Sequence, residues 1–147
     1  MHDLIITNGK IVDGTGKPAF IGNIAIKDGK ISAVGEVAES AAKTIDAKGQ
    51  LIAPGWVDVH SHMDGQATWD PLCSPAANHG ITTIIMGNCG IGFAPCAPTA
   101  EARDQLISVC EDVEDIPGAA LHEGITWDWE SFPEYLTALD KFPRAID

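Results

Sequence analysis

The chain has 147 residues, 45% of them hydrophobic and 20% charged, and its mean hydropathy of +0.05 excludes a disordered tail. No apolar run approaches the roughly 18 residues that cross a bilayer, and Met1-His2-Asp3 opens no secretory pattern, so the expectation is a soluble, cytoplasmic protein with no membrane partner. A formal charge of -12 argues against nucleic acid, whose phosphates select basic patches.

The charge divides the chain. Residues 1–50 carry six Lys against six acids, whereas residues 51–147 hold only Arg103, Lys141 and Arg144 against fifteen acids. This asymmetry predicts two structural units joined near Leu51, and the change of pattern after Pro54-Gly55 puts their bounds at 1–54 and 55–147. Four cysteines (Cys73, Cys89, Cys96, Cys110) include no Cys-x-x-Cys pair, which argues against a zinc knuckle, and a cytoplasmic setting favours free thiols.

In chain order, Asp3–Thr7 alternates and meets Asn8-Gly9, a dipeptide suited to a type I′ hairpin turn, with Lys10–Val12 returning. Asn23–Lys27 alternates, Asp28-Gly29 turns it, and Lys30–Val34 follows. Thr44–Asp46 and Leu51–Ala53 are further short strands, giving a small antiparallel β unit. Past Pro54-Gly55, Trp56–Val59 is an apolar strand ending in His60-Ser61-His62. A short helix is expected near Pro71–Asn78, broken by His79-Gly80. Ile81–Met86 is β-branched and reads as a buried strand. A glycine-rich loop, Gly87–Pro98, leads to a helix from about Thr99 to Val113 with Ala102, Leu106, Val109 and Val113 as its apolar face. Ser131-Phe132-Pro133-Glu134 is a capping box that opens a last helix to about Asp140.

Strand–helix–strand–helix is the grammar of a parallel α/β fold. A closed (β/α)8 barrel needs roughly 250 residues, so the expectation is the front of a larger protein.

His60 and His62 alternate onto one face of a strand end, close enough for both imidazoles to reach one ion. Asp58 shares that face and is placed to accept a hydrogen bond from an imidazole. The competing reading is two surface histidines on a loop. Cys89, in Gly87-Asn88-Cys89-Gly90, lies just past the second strand on the same rim, either as a metal-ligating thiolate or as a small buried hydrophobe. His79, His122, Asp64 and Asp70 are weaker candidates, and Trp127-Asp128-Trp129 fits a pocket wall or plain packing. No Gly-x-Ser-x-Gly elbow, phosphate loop or dinucleotide fingerprint is present.

Three stretches, Asp3–Gly14, Ile26–Ile31 and Ala53–His62, resemble the amidohydrolase superfamily. Two more, Met86–Cys96 and Leu121–Leu136, resemble its D-aminoacylase (N-acyl-D-amino-acid deacylase) branch. The resemblance implies an α/β fold: a small antiparallel β-sandwich portion followed by the first βα units of a (β/α)8 metal-dependent hydrolase barrel, incomplete here. It implies one or two zinc ions, with His60, His62 and Cys89 as metal ligands and the cysteine in place of a carboxylated lysine. The general-base aspartate is expected beyond Asp147, so no catalytic residue is assigned and the 147 residues are expected to be inactive alone. The implied substrate is a small N-acyl-D-amino acid. The alternatives are a cyclic amide or ureide hydrolase of hydantoinase type and a non-catalytic metal-binding protein.

Overall fold

Asp3–Thr7 and Lys10–Val12, expected as two arms of a hairpin, instead form one strand, β1 (His2–Ile11). The computed structural model describes residues 1–147 and divides into two compact units, Met1–Pro54 and Gly55–Asp147. In the first unit, a type I′ turn at Asn8-Gly9 would need positive φ at both residues. Asn8 has φ 56° but Gly9 is not left-handed. Asn8 opens a bulge instead, and the register against β2 (Phe20–Lys27) shifts between Ile6 and Gly9. Glycine stands at position 9 for space, because a Cβ there would lie 2.1 Å from Ile52 Cδ1.

β2 and β3 (Lys30–Gly35) form the expected hairpin, with Asp28 and Gly29 at φ 52° and 71°. The unit is not wholly antiparallel, however. β4 (Ala41–Asp46) and β5 (Leu51–Ile52) both pair parallel to β1, so the expected antiparallel β-sandwich portion is one mixed five-stranded sheet, ordered β3-β2-β1-β4 with β5 beside the end of β1. The reason is topological. β3 and β4 stand on opposite sides of the β2–β1 pair, so residues 36–40 cross between edges, and a crossing chain re-enters running with β1. Ile5, Ile11, Ile24, Ala25 and Ala47 are the buried apolar residues of this unit.

The second unit starts with two parallel strands, β6 (Trp56–Ser61) and β7 (Ile81–Met86), with Ser61 opposite Met86. Between them the expected helix at Pro71–Asn78 is absent, replaced by two 3-10 turns, Gln66–Thr68 and Ala77–His79. The Asp70 carboxylate accepts the N–H groups of Leu72 and Ser74 at 3.0 and 2.7 Å, which competes with helical bonding, and Cys73 is left-handed at φ 45°. Pro75 has no N–H to give.

Three helices follow: α1 (Ala100–Glu114), α2 (Gly118–Gly124) and α3 (Phe132–Leu139). The Thr99 side chain caps α1 by accepting Ala102 N–H at 3.2 Å, and Glu134 accepts Ser131 N–H at 2.8 Å in the α3 capping box. α1 presents its expected face only in its first half, where Ala102 is half-buried and Leu106 packs against the core, and is rotated from it further on. Val109 and Val113 are exposed, while Ile107 and Cys110 are buried and Glu114 is half-buried one turn further along the same stripe.

The core of this unit lies among its loops and helices, around Phe93, Ile107, Leu121, Trp129, Tyr135 and Leu139. Trp129 Nε1–H donates to Phe93 O at 2.7 Å, and the Tyr135 hydroxyl donates to Asp64 O at 2.8 Å. The strands are less buried than expected, with Trp56, Val57, Val59 and Ile85 exposed, because a two-stranded sheet leaves much of its surface with no layer to pack against. No helix is long and apolar enough to cross a membrane.

Leu121→Ala, at 2% exposure, is expected to lower stability by about 2–5 kcal/mol in urea denaturation. Val113→Ala on the exposed face of α1 is expected to change it by no more than about 0.5 kcal/mol. Equal effects would put the core elsewhere.

Candidate metal centre

Parallel pairing sends the ends of β6 and β7 to one rim, and the candidate residues lie there. His60 belongs to β6, and His62 follows it immediately. Their rings stand 5.1 Å apart between centroids, tilted by 48°. Cys89 sits three residues past β7 in a tight turn closed by Gly90 N–H donating to Gly87 O at 3.0 Å. Gly87 and Gly90 have φ of 70° and 88°, which side chains rarely adopt. Asn88 Nδ2 donates to Val59 O at 2.9 Å and pins this turn to β6.

One donor atom each from His60, His62 and Cys89 lies within 4.8 Å of the others. Cys89 Sγ is 4.0 Å from His62 Nδ1 and 3.8 Å from Nε2. His60 and Cys89 are exposed and His62 is half-buried, so an ion has access. Two imidazoles and a thiolate form a nitrogen–sulfur donor set that suits zinc, and three protein donors leave a position open.

Asp58 does not act on an imidazole. Its Oδ1 accepts the backbone N–H of His60 at 3.1 Å. The carboxylate at the histidines is Glu114, whose Oε2 is 3.1 Å from His62 Nε2. The sequence reading missed Glu114 because it continued the apolar face of α1 through Val109 and Val113, whereas the buried stripe runs through Ile107 and Cys110. A usable signal was present in Glu111, Asp112, Glu114 and Asp115, a run of acids at a helix C-terminus, where the helix dipole disfavours negative charge.

Two buried groups lie behind the cluster. Burial pushes the Asp64 carboxyl above the usual carboxylate range, with its own N–H and His62 opposing. The Cys110 thiol is pushed up to about 11 by burial, with Asp64, Glu114 and Cys89 adding to it. A cavity of about 480 Å³ opens beside the Cys89 turn, lined by Asp64, Met86, Gly87, Ile91, Phe132 and Leu136 among others.

The remaining candidates stand apart from the centre. His79 ends a 3-10 turn and is exposed, His122 lies 3.8 Å from Asp104 at the surface, and Asp70 organises its own turn. Trp127 and Trp129 pack against one another, with Phe93 and Tyr135 alongside. Cys73, Cys96 and Cys110 are buried free thiols.

The amidohydrolase family pattern matches residues 43–146. The chain belongs to the amidohydrolase family. Within this family it is 43% identical over 146 residues to N-acyl-D-aspartate deacylase of Alcaligenes xylosoxydans xylosoxydans, covering 99% of this chain and 27% of that protein. A solved D-aminoacylase, described for its binuclear metal centre with one-metal activation and second-metal attenuation, superposes with a TM-score of 0.78 at 30% identity, over 100% of this chain and 28% of that one. N-acyl-D-glutamate deacylase from Bordetella bronchiseptica, solved with zinc and a phosphonate mimic of the tetrahedral intermediate, gives a TM-score of 0.71 at 33% identity, over 99% and 28%. This amidohydrolase chain spans 19–28% of the length of the curated relatives it matches.

The exposures predict thiol chemistry. In the native amidohydrolase chain an aromatic disulfide reagent at neutral pH is expected to modify Cys89 fast and the three buried thiols only on unfolding. Added zinc is expected to slow the fast phase. Two or more fast thiols, or no zinc protection, would contradict this arrangement.

Proposed function

We propose that this chain supplies part of the metal centre of a zinc-dependent hydrolase that cleaves the amide bond of N-acyl-D-amino acids, releasing a carboxylate and a free D-amino acid. The observation that carries the reading is the convergence of His60, His62 and Cys89 within 4.8 Å at the rim where two parallel strands end. The nature of the relatives, deacylases of N-acyl-D-amino acids, supports the substrate class.

In this reading residues 1–54 belong to a β-sandwich domain and residues 55–147 begin a (β/α)8 barrel in a cytoplasmic enzyme. The ladder beyond β7 supports a barrel. Asp147 N–H donates to Thr82 O at 2.9 Å and Ile84 N–H donates to Asp147 O at 2.8 Å, which is the pattern of a further parallel strand. Its strands end at the rim that carries the donor cluster, as barrel active sites require.

His60, His62 and Cys89 would hold the zinc, which when bound supplies a Lewis acid for the N-acyl carbonyl and for an attacking water. The Cys89 turn, pinned to β6 by Asn88, keeps the sulfur beside the imidazoles. The general base that takes the water's proton and passes it to the leaving amine is an aspartate outside these residues. The 147 residues alone are therefore expected to bind metal without turnover.

A ureide-hydrolase reading is disfavoured by Cys89, whose sulfur stands in the donor cluster at the place that the family resemblance gives to a carboxylated lysine. The second unit has one lysine, Lys141, and its Nζ is 2.6 Å from Asp128.

In the protein carrying a complete barrel, Cys89→Ala is expected to lower zinc content and to abolish hydrolysis of N-acetyl-D-methionine. Unchanged zinc content by atomic absorption would remove Cys89 from the centre. Faster turnover of a hydantoin than of N-acetyl-D-methionine by the unmodified protein would overturn the substrate assignment.

A further inference from the structure

Two residues of β6, Val59 and His60, have no partner in its ladder with β7. Asp58 pairs with Ile84 and Ser61 with Met86, so Val59 and His60 together oppose Ile85. This is a β-bulge, which bends a strand near its end and re-aims a side chain. It falls on the first candidate donor. A peptide unit outside the ladder leaves a carbonyl and an N–H to be satisfied by other groups. Side chains take both here. Asp58 Oδ1 accepts His60 N–H at 3.1 Å, and Asn88 Nδ2 donates to Val59 O at 2.9 Å.

The two bonds differ in reach. Asp58 is two residues from His60, so its bond is local and shapes the bulge itself. Asn88 comes from 29 residues beyond Val59 and is the neighbour of Cys89. Its bond therefore joins the backbone that carries His60 to the turn that carries the sulfur. That turn needs such a tie. β7 ends at Met86, so Cys89 lies beyond the strand. Gly87 and Gly90 on either side, at φ 70° and 88°, give its backbone wide freedom. An asparagine amide can donate to a carbonyl oxygen, whereas an ionised aspartate of the same shape offers acceptors alone.

We propose that Asp58 and Asn88 are positioning residues that clamp the Val59–His60 peptide from two sides, so that one peptide unit sets the spacing of the His60 imidazole and the Cys89 sulfur. The use of that spacing to hold an ion rests on the functional reading above; the clamp itself does not. Neither side chain is a metal ligand or transfers a proton to substrate. Both act through the backbone of the donors.

Two measurements test it, both in the protein carrying a complete barrel. The first needs no metal. In zinc-free protein the side-chain amide protons of Asn88 are expected to exchange with solvent more slowly, by NMR, than those of the exposed Asn78. Equal exchange overturns the clamp. The second is zinc affinity by chelator competition. Asn88→Asp keeps the shape and removes the donor, and it is expected to weaken binding about 10–100-fold. Asp58→Asn keeps the shape and an acceptor oxygen, and it is expected to lose less. Because both residues hold one peptide, Asp58→Ala combined with Asn88→Ala is expected to lose little more than the worse single variant. Residues that served stability alone would lower the melting temperature and leave zinc affinity unmoved, which overturns the proposal, as do losses that multiply in the double variant. Should the variants not fold, proton exchange in the unmodified protein decides alone. Slow exchange at Asn88 in a protein that takes up no zinc would uphold the clamp and overturn the metal reading instead.

Discussion

The direction in which β7 runs beside β6 governs everything at the candidate centre. With Ser61 opposite Met86 in a parallel pair, both strands end on one side, and the residues that follow them, His62 and the Cys89 turn, come together. Had β7 run antiparallel, the same two segments would lie at opposite ends of six-residue strands, about 20 Å apart at roughly 3.3 Å per residue. Two hydrogen bonds frame the pair: Trp56 N–H to Gly80 O at its start and Asn88 Nδ2 to Val59 O at its end, each 2.9 Å long. Between them the chain must make a crossover, and residues 62–80 do so in 3-10 turns governed by the Asp70 carboxylate.

The centre is supported from below by a core that lies outside the sheet. Tyr135 and Trp129 each bury a polar tip, on Asp64 O and Phe93 O, and those carbonyls belong to the segments that follow His62 and Cys89. A buried hydrogen bond adds only about 1 kcal/mol net, so the contribution of these two is chiefly to placement. They tie the region of α3 to both loops that carry donors. The buried stripe of α1 closes the arrangement, with Ile107 and Cys110 in the core and Glu114 at its inner end.

Much of this is legible in the sequence because it depends on short-range chemistry. The Asp28-Gly29 hairpin, the Thr99 cap and the Ser131–Glu134 box are local, and each forms where the residues indicate. The convergence of the candidate donors is legible for the same reason, since alternation places His60 with His62 and glycine spacing presents Cys89. What was misread depends on tertiary partners. Asn8-Gly9 resembles a hairpin turn in isolation, yet Ile52 from a distant segment occupies the space that makes Gly9 a close-approach residue. Nothing local tells β4 to lie parallel to β1, because that follows from a crossing of the sheet. Both faces of α1 carry apolar residues, so periodicity alone favoured Val109 and Val113, and packing against α2 and the Phe93 loop chose Ile107 and Cys110. The Glu114 contact was hidden by that same rotation.

The hydrogen-bonding of Asp147 along β7 has a consequence for how such a chain folds. β7 lies on one side of β6, and the next pairing is added on the far side of β7, so the ladder grows in one direction and leaves the outer edge of β6 behind. In the proposed barrel that edge would be the last to be closed, by a strand far away in sequence, and the loop entropy of that closure would make it slow. Until then Trp56, Val57 and Val59, exposed along the unpaired edge, would stay open to pairing with a neighbour. The winding that gathers the candidate donors at one rim would then also set how long that apolar edge stands uncovered.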